Sequence, residues 1–534
     1  MTRLFATSAV AALIAGAVSA QELNVAVANL SAYIDPGADH SNVGSQFYVN
    51  SMEPLLFKDP TSEENIFEPG LATSWEITSP TEMTLTIREG VKFHNGEDMT
   101  MEDVVWSLEN MITPGYPARI ERSKEFFGNI SGVEVVDDTT LKIMSDKPEP
   151  LFELILAAQQ AMILPKDYTQ GLSGDPNATE ESDFIAFRQA PVGTGPYTYA
   201  EFTPETRIVW ERFGDYWGEQ APYERVTVRR IPELSARITA LVNNEVDLVT
   251  NVPPDQLDVI NGTPGFKTAG GVTPLFHLMY FGGGEQGEII TKELRQAMVK
   301  AVDRDLLNEA LWGGQAVVPN THTYPQYGPY FTPDIMTFEY DLEGAKEIIA
   351  ENGLEGTQLP FYTDPVYYTN GLLAAQAMQE MWREIGVDIE LKVVTSWNEP
   401  GTPGGWGSPD QIHNWSNPMY FADPHGSFGK MWAPEGAGMT RGLWEPSIGM
   451  DAWTAMYDEF RFETDIDARN AAFEELMAVV KEDAPFLVLY QPFESWGMRE
   501  SLDWAPYPGH IPYVLDFRAG YIGDAANGIT RATN

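Results

Sequence analysis

Tryptophan is the residue type whose spacing most suggests binding chemistry in this sequence. The chain has 14 tryptophans. Aromatic faces offer a large contact area at low side-chain entropy cost, and tryptophan rings stack on sugars, hold cations and line peptide side-chain pockets. The alternative is that the rings form the core of their own segment, and the sequence leaves both readings open. Six of them fall close together, namely Trp397, Trp406, Trp415, Trp432, Trp444 and Trp453.

Motifs for metal, nucleotide or covalent chemistry are weak or missing. His413 and His425 share the tryptophan-rich stretch, so a metal or metal-chelate role is one interpretation. The sequence contains no Gly-x-x-x-x-Gly-Lys-Ser/Thr loop, no His-Glu-x-x-His and no Gly-x-Ser-x-Gly. Gly282, Gly284 and Gly287 have dinucleotide-fingerprint spacing, but no helix opens directly after them, which favours a turn. We therefore expect neither an enzyme nor a cofactor.

The elements that must position these residues are those of a mixed α/β chain. Residues 395–450 are rich in Gly, Pro, Trp, Asn and Ser and show little periodicity, which predicts one long functional loop. Residues 171–183 also read as a loop. Alternating or apolar runs predict strands at 22–28, 84–87, 141–144, 225–231, 275–281 and 387–394. Helical spacing predicts helices at 101–111 with Thr100 as the cap, and at 235–242, 291–311, 342–352 and 371–385.

Length and composition limit the class of protein. A chain of 534 residues suggests about three or four domains or lobes, and 43% hydrophobic with 21% charged residues is ordinary for a globular protein. The formal charge of −45 disfavours nucleic acid and anionic membrane surfaces as partners. The absence of cysteine excludes disulfides, thiolate metal sites and an N-terminal lipid anchor.

The N-terminus has the pattern of an export signal. Arg3 precedes an apolar stretch at 4–18, and Val18, Ser19 and Ala20 supply small residues for cleavage before Gln21. The stretch is too short to span a bilayer, and no later segment is as apolar for as long. We expect residues 1–20 to be removed and the mature protein to be soluble in the periplasm of a Gram-negative cell, with full secretion as the alternative.

Consecutive sequence blocks resemble one protein family. Val-Gly-Thr-Gly-Pro-Tyr at 192–197 and Asp-Tyr-Trp-Gly at 215–218 are examples. Because these blocks occur in series along the chain, the sequence resembles family 5 of the extracytoplasmic solute-binding proteins. Members of that family serve ABC importers of peptides, nickel chelates, opines and some oligosaccharides. Each block is weak alone, but together they are specific. The remaining blocks lie at 71–76, 88–107, 240–248, 295–304 and 483–490.

The resemblance implies an α/β, two-lobed periplasmic-binding-protein (Venus-flytrap) fold of the large three-region type, with mixed sheets and a hinge between the lobes. The first lobe would comprise 21–55, 190–275 and 490–534, the subdomain inserted into it 56–189, and the second lobe 276–489. The implied partners are a small-molecule solute and ABC permease subunits with cytoplasmic ATPases. We expect a monomer without direct membrane insertion. A secreted hydrolase or a signalling or chaperone-like protein on the same scaffold are the alternatives.

The resemblance also places the ligand between the lobes. The peptide binders of the family usually have an acid three positions after a loop tryptophan, to pair with the peptide ammonium. Here Pro418 stands three positions after Trp415, so either Asp423 takes that role or the ligand lacks an α-ammonium. Short peptides are favoured, with sugars or glycosides, opines and metal chelates as alternatives. The predicted ligand-binding residues are Ser31 and Tyr33 from the first lobe and Trp397, Trp406, Trp415, Asn417, Asp423 and His425 from the second.

Overall fold

Three large β-sheets organise the protein, and each is built from a different part of the chain. The structure is a computed structural model. It describes residues 21–39, 41–59, 65–113, 127–175, 179–282, 290–332, 335, 338–365, 367–394, 411–506 and 514–531.

The strands and helices of the described residues are numbered in chain order. The strands are β1 Glu22–Val27, β2 Leu56–Lys58, β3 Phe67–Pro69, β4 Ala72–Ser79, β5 Glu82–Ile87, β6 Ile130–Val135, β7 Thr140–Ser145, β8 Tyr197–Thr203, β9 Arg207–Arg212, β10 Arg225–Arg230, β11 Leu248–Val249, β12 Phe266–Val272, β13 Leu275–Phe281, β14 Gln358–Thr363, β15 Asp388–Val393, β16 Ile412–Pro418, β17 Phe486–Tyr490, β18 Phe493–Arg499, β19 Leu502–Asp503 and β20 Gly523–Asp524. The helices are α1 Met101–Ile112, α2 Phe152–Ala157, α3 Lys166–Gly171, α4 Glu180–Phe187, α5 Leu234–Val242, α6 Leu257–Asn261, α7 Lys292–Lys300, α8 Arg304–Trp312, α9 Leu342–Glu351, α10 Gly371–Arg383, α11 Lys430–Trp432, α12 Ala437–Thr440, α13 Met450–Phe462 and α14 Ile466–Asp483.

The seven-stranded sheet has the order β12-β18-β11-β1-β10-β9-β8. Strand β1 lies near its centre and pairs in parallel with β10 and β11. Its Leu23 and Val25 are fully buried, as the alternating sequence predicts. The C-terminal strand β18 is inserted between β12 and β11 and runs antiparallel to both. Chain segments more than 220 residues apart therefore share this sheet.

The five-stranded sheet has the order β15-β14-β16-β13-β17. All seven residues of β13 are buried, and the strand pairs antiparallel with β16 and β17. Helix α10 packs on β15, and helix α9 packs against α7. The apolar run of β13 thus forms an interior strand of a covered sheet, as expected for a strand that is buried on both faces.

The four-stranded antiparallel sheet has the order β4-β5-β7-β6, and helix α1 packs against it. The Thr100 side chain accepts a hydrogen bond from Asp103 N (3.3 Å), while Asp103 Oδ2 accepts one from Thr100 N (2.8 Å). This capping box satisfies donors that the first helical turn leaves open, and it confirms the predicted start of the helix.

Two short segments join the seven-stranded and five-stranded sheets. Thr273 and Pro274 lead from β12 to β13, and Gln491 and Pro492 lead back from β17 to β18. The two crossings lie side by side, because Thr273 N donates to Pro492 O at 3.2 Å. Paired connections of this kind allow two packed bodies to rotate about a shared axis.

Three predictions about the elements are wrong. The helix expected at 291–311 is two helices, α7 and α8, because Asp303 caps a new start and accepts from Leu306 N at 2.9 Å. The loop expected at 171–183 already contains the first turn of α4. The loop expected at 395–450 contains strand β16, whose residues 412–416 are all buried. A strand buried on both faces shows no alternation, so its sequence resembles irregular structure.

Of the clustered tryptophans, Trp397 and Trp406 lie outside the described residues, and the others are buried. Trp432, Trp444 and Trp453 are at most 2% exposed, and their rings lie 4.8–5.6 Å apart in consecutive pairs. They form the core beside the five-stranded sheet rather than a binding surface. Within the residues that the structure describes, no helix is long and apolar enough to cross a membrane.

Candidate functional site

The loop after β1 is held together by its own polar side chains. Ser31 is buried, and its hydroxyl donates to Asp39 Oδ2 at 2.8 Å. Tyr33 is half-buried, with the guanidinium of Arg188 4.6 Å from its ring centre. Arg188 Nε also pairs with the buried carboxylate of Asp35 at 3.2 Å. Both predicted ligand residues of this loop thus have protein neighbours, Asp39 for Ser31 and Arg188 for Tyr33.

This loop region meets the end of strand β16 directly. Asn42 Nδ2 donates to Ser416 Oγ at 2.9 Å, and both side chains are buried. The hydroxyl of Tyr368 lies 3.1 Å from the same Ser416 oxygen. The loop region after β1 and the carboxyl end of β16 are therefore in direct contact through Asn42 and Ser416.

Trp415 lies inside the five-stranded sheet rather than on a loop. It faces Leu278 across the β13–β16 ladder, its ring centre is 5.3 Å from that of Tyr280, and only 7% of it is exposed. Trp397, Trp406 and the side chain of Asn417 lie outside what the structure describes, so their predicted roles stay predictions.

Asp423 is fully buried and ion-paired. Arg469 Nη2 donates to its Oδ1 at 2.9 Å, Arg469 Nη1 contacts Oδ2, and the backbone N–H of His425 donates to Oδ1 at 2.8 Å. The guanidinium lies 4.7 Å from the Tyr330 ring centre and 4.5 Å from that of Phe460. The charge of Asp423 is thus balanced within its own lobe, and its role toward a ligand ammonium stays a prediction.

The two histidines near Trp415 have protein partners. His425 is 3% exposed, and its Nδ1 lies 2.8 Å from the hydroxyl of Tyr457. His413 Nε2 lies 3.1 Å from Gln411 Oε1, and burial lowers the pKa of its ring to about 4, so the ring is neutral at pH 7. Across the described ranges, no three His, Asp or Glu side chains form a group that could hold a metal ion.

A cavity that the sequence analysis missed lies close to this meeting point. Its walls come from the start of the chain (Met52, Phe57), from the segment after the four-stranded sheet (Leu154, Met162), and from the segment after β16 (Met419, Phe421). The wall residues are distant in sequence and show no shared motif. Only the long segment 395–450, which contains Met419 and Phe421, gave a signal that could have pointed to this place.

Two of the blocks that carry the family resemblance, 192–197 and 215–218, meet at one buried carboxylate, and no residue of any block lines this cavity. The buried carboxylate of Glu53 accepts hydrogen bonds from Thr194 Oγ1 (2.7 Å), Tyr216 OH (2.7 Å) and Trp217 Nε1 (2.8 Å). A side chain at Gly193 would place its Cβ 2.2 Å from Ser51 O, which no larger residue tolerates. The blocks therefore serve the fold, which explains why they report family membership and not ligand class.

The comparison with protein families is decisive. Residues 67–438, more than half of the chain, match the family described as bacterial extracellular solute-binding proteins, family 5 middle. The chain belongs to this family. Its members are solute-binding proteins and not enzymes, which confirms both the predicted family and the predicted lack of catalysis.

Individual relatives agree with this family and its fold. The dipeptide-binding protein of Escherichia coli (strain K12) is 27% identical over 354 residues, which are 62% of this chain and 64% of that relative, so the chain spans a little under two thirds of its length. Helicobacter pylori DppA in complex with the peptide STSA has a TM-score of 0.79 at 21% identity, covering 94% of this chain and 98% of that chain. Staphylococcus aureus NikA in complex with Ni(L-His)2 has a TM-score of 0.75 at 19% identity, covering 94% and 100%. The predicted two-lobed periplasmic-binding-protein fold is confirmed.

Proposed function

We propose that this family-5 protein is the periplasmic solute-capturing component of an ABC importer, and that it binds a short peptide or peptide-like compound between its lobes and delivers it to the membrane permease. The observation that carries the proposal is the contact of Asn42 with Ser416 at the end of β16, together with the two crossings at 273–274 and 491–492 that connect the two large sheets. A cleft bounded in this way closes around a ligand by rotation at the crossings.

The sheets support a division of the chain into lobes. We propose a first lobe of residues 21–55, 190–275 and 490–534, which contributes every strand of the seven-stranded sheet. The inserted subdomain, 56–189, contributes the four-stranded sheet, and the second lobe, 276–489, contributes the five-stranded sheet except for the first residue of β13 and the last residue of β17.

The ligand residues proposed for this cleft are those that approach the lobe boundary. Ser31 and Tyr33 are proposed from the first lobe, and Trp397, Trp406, Trp415 and Asn417 are proposed from the second. Asp423 and His425 lie further along the same segment, in the buried interior of the second lobe. They would act on the ligand by fixing the backbone of residues 419–422.

The names and ligands of the relatives support the proposed solute class. The E. coli relative is named as a dipeptide-binding protein, and the H. pylori structure holds a peptide. The NikA complex shows that the same fold also serves a nickel complex. If the solute is instead a sugar, an opine or a metal chelate, the proposed class of solute changes but the proposed transport role does not.

Mass spectrometry of the native protein tests this function. The protein, purified without refolding, is denatured, and the released small molecules are identified. We expect peptides of a few residues, and we expect a strain that lacks the gene to lose uptake of that solute. If the released compound is not a peptide, the proposed ligand class is wrong. If uptake is unchanged in the deletion strain, the proposed transport role is wrong.

A further inference from the structure

The cavity at the lobe boundary combines apolar walls with polar atoms that have no hydrogen-bond partner among the described residues. Methionines from three parts of the chain, Met52, Met162 and Met419, line it. Its volume is about 70 Å³, well above the roughly 10–15 Å³ that one water molecule requires. Flexible, polarisable methionine side chains adapt to guests of different shape. The cavity therefore has room and adaptability for a group of several heavy atoms.

Lys58 supplies a cation to this cavity. Its Nζ is buried and has no hydrogen-bond partner among the residues that the structure describes. Arg518 also lines the cavity, but Asp516 already binds it through Nη2 (2.7 Å) and Nε (3.0 Å). Burial lowers the pKa of the Lys58 ammonium to about 8, although Asp59 opposes that shift. Lys58 is therefore still charged in most molecules at pH 7.

Gln159 supplies an acceptor beside the same cavity. The residue is 2% exposed, and its Nε2 donates to Ser45 Oγ at 2.8 Å. This bond fixes the orientation of the amide and leaves Oε1 without a partner in the described part of the chain. A buried acceptor and a buried ammonium that lack partners each cost free energy, and a ligand that supplies both partners removes that cost.

We propose that this cavity is a solute-binding pocket for an apolar group that bears a carboxylate, in which Lys58 binds the carboxylate and Gln159 accepts a hydrogen bond from an N–H of the solute. The inference rests on the proposed function and narrows its ligand. The C-terminal residue of a peptide has an N–H, a side chain and a carboxylate within a few bonds, so an apolar C-terminal residue meets all three requirements.

Calorimetry with a matched pair of ligands tests the pocket. The probes are the dipeptide Ala-Leu and its C-terminal amide, which differ only in the charge that Lys58 would bind. We expect wild-type protein to bind the acid at least about 10-fold more tightly than the amide, because hydrogen bonds to charged groups contribute that much or more. Lys58→Met should weaken binding of the acid by about 10- to 150-fold and change binding of the amide by less than about 3-fold.

Control variants separate the possible failures. Lys346→Met, at an exposed lysine paired with Glu343, should keep the wild-type preference. Should Lys58→Met fail to fold, Lys58→Gln provides the same neutral test. An acid-to-amide ratio that is equal in wild type and the Lys58 variants would overturn the pocket while leaving the transport function intact. Failure of wild-type protein to bind either probe would count against peptides as the solute and would overturn the pocket with them.

Discussion

Asp423 and Arg469 form the most completely buried ion pair in the second lobe. Removing one member of such a pair leaves an uncompensated charge in the interior, which typically costs about 3–5 kcal/mol. Both side chains are at most 1% exposed and accept or donate two hydrogen bonds to each other. The pair therefore stabilises the segment that carries Met419 to Ala422 to the lobe boundary.

We expect Asp423→Asn to lower the free energy of unfolding by about 3–5 kcal/mol, since the variant buries the Arg469 charge without its partner. Urea unfolding measures this, and calorimetry on the folded fraction measures solute binding. The double variant Asp423→Asn with Arg469→Gln should recover part of the loss. Wild-type stability combined with a large loss of binding would instead show that Asp423 pairs with a ligand ammonium.

Trp415→Ala should destabilise the protein as well as weaken solute binding. The ring packs between strands β13 and β16 beside Tyr280, and removing a buried aromatic side chain typically costs about 3–5 kcal/mol. The sequence alone predicts an unchanged unfolding midpoint, because it places Trp415 on a loop. Trp415→Phe, which keeps a ring, is the matched control. Thermal melting compares the two, and an unchanged midpoint for the alanine variant would contradict the packing.

The burial of the His322 ring predicts that the protein loses stability at acidic pH. The ring is fully buried between Phe276, Phe428 and Phe486, and burial lowers its pKa to about 3. Because the unfolded state takes up the proton near pH 6.5, this stability is complete above that pH and declines as the pH falls toward 3. Between pH 7.5 and pH 5 the wild type should lose about 2 kcal/mol more than His322→Phe. Equal pH dependence of urea unfolding in the two proteins would contradict this.

The positions of the candidate binding residues are only partly predictable from sequence. Ser31 and Tyr33 are found at the carboxyl end of β1 because that strand has a clear alternating pattern. Lys58 and Gln159 carry no motif, and their importance depends on missing partners that only the packed structure reveals. Asp423 looks available in the sequence because its partner Arg469 lies 46 residues away.

At the scale of elements, helix α13 connects the second lobe to the inserted subdomain. Arg461, in its last turn, donates to both carboxylate oxygens of Glu149 at 2.8 and 2.6 Å, and both side chains are at most 5% exposed. Asn129 Nδ2 and the N–H of Leu151 also donate to this carboxylate. The helix is thereby joined to a segment 312 residues earlier in the chain.

Glu149→Gln should loosen the contact between α13 and the inserted subdomain. The variant leaves Arg461 buried without a full counter-charge, so separation of the two surfaces, which hydrates the guanidinium, becomes more favourable. Small-angle scattering of the solute-free variant should show a larger radius of gyration than wild type. Lys147→Met, which breaks the exposed neighbouring pair with Asp458, is the control and should leave the radius unchanged.

Elements were predictable where local pattern and local caps agree. The boundaries of β1, β13 and α1 match the sequence to within one or two residues. The break between α7 and α8 was missed because the apolar spacing continues through it. The turn there is fixed by Arg304, which donates to the carbonyls of Pro319, Phe338 and Val488 at 2.7–2.9 Å. Such long-range hydrogen bonds produce no periodic pattern in the sequence.

At the scale of the whole molecule, the order of sequence blocks was enough to predict the fold class, because the blocks together identify the family. The relation between the lobes was not predictable. Asn42 and Ser416 are 374 residues apart, and neither belongs to a motif.

We expect solute binding to bring the two lobes together by rotation at the crossings near Thr273 and Gln491. The radius of gyration should decrease and the tryptophan emission should shift when the identified solute is added, since Trp415 directly precedes Ser416, which contacts Asn42. Scattering and fluorescence titrations on the same sample measure this. A bound solute with an unchanged radius would contradict a hinged cleft.

The position of β18 has a consequence for how the protein is made. A growing chain emerges from the ribosome N-terminus first, so β1, β8, β9, β10 and β11 are available early, while their neighbour β18 is among the last segments to appear. Until then one side of β11 is an open edge, and β12 has no strand to pair with. The first lobe therefore completes its sheet only after the entire second lobe has been synthesised. Its nascent form is a natural client for chaperones that mask unpaired strand edges.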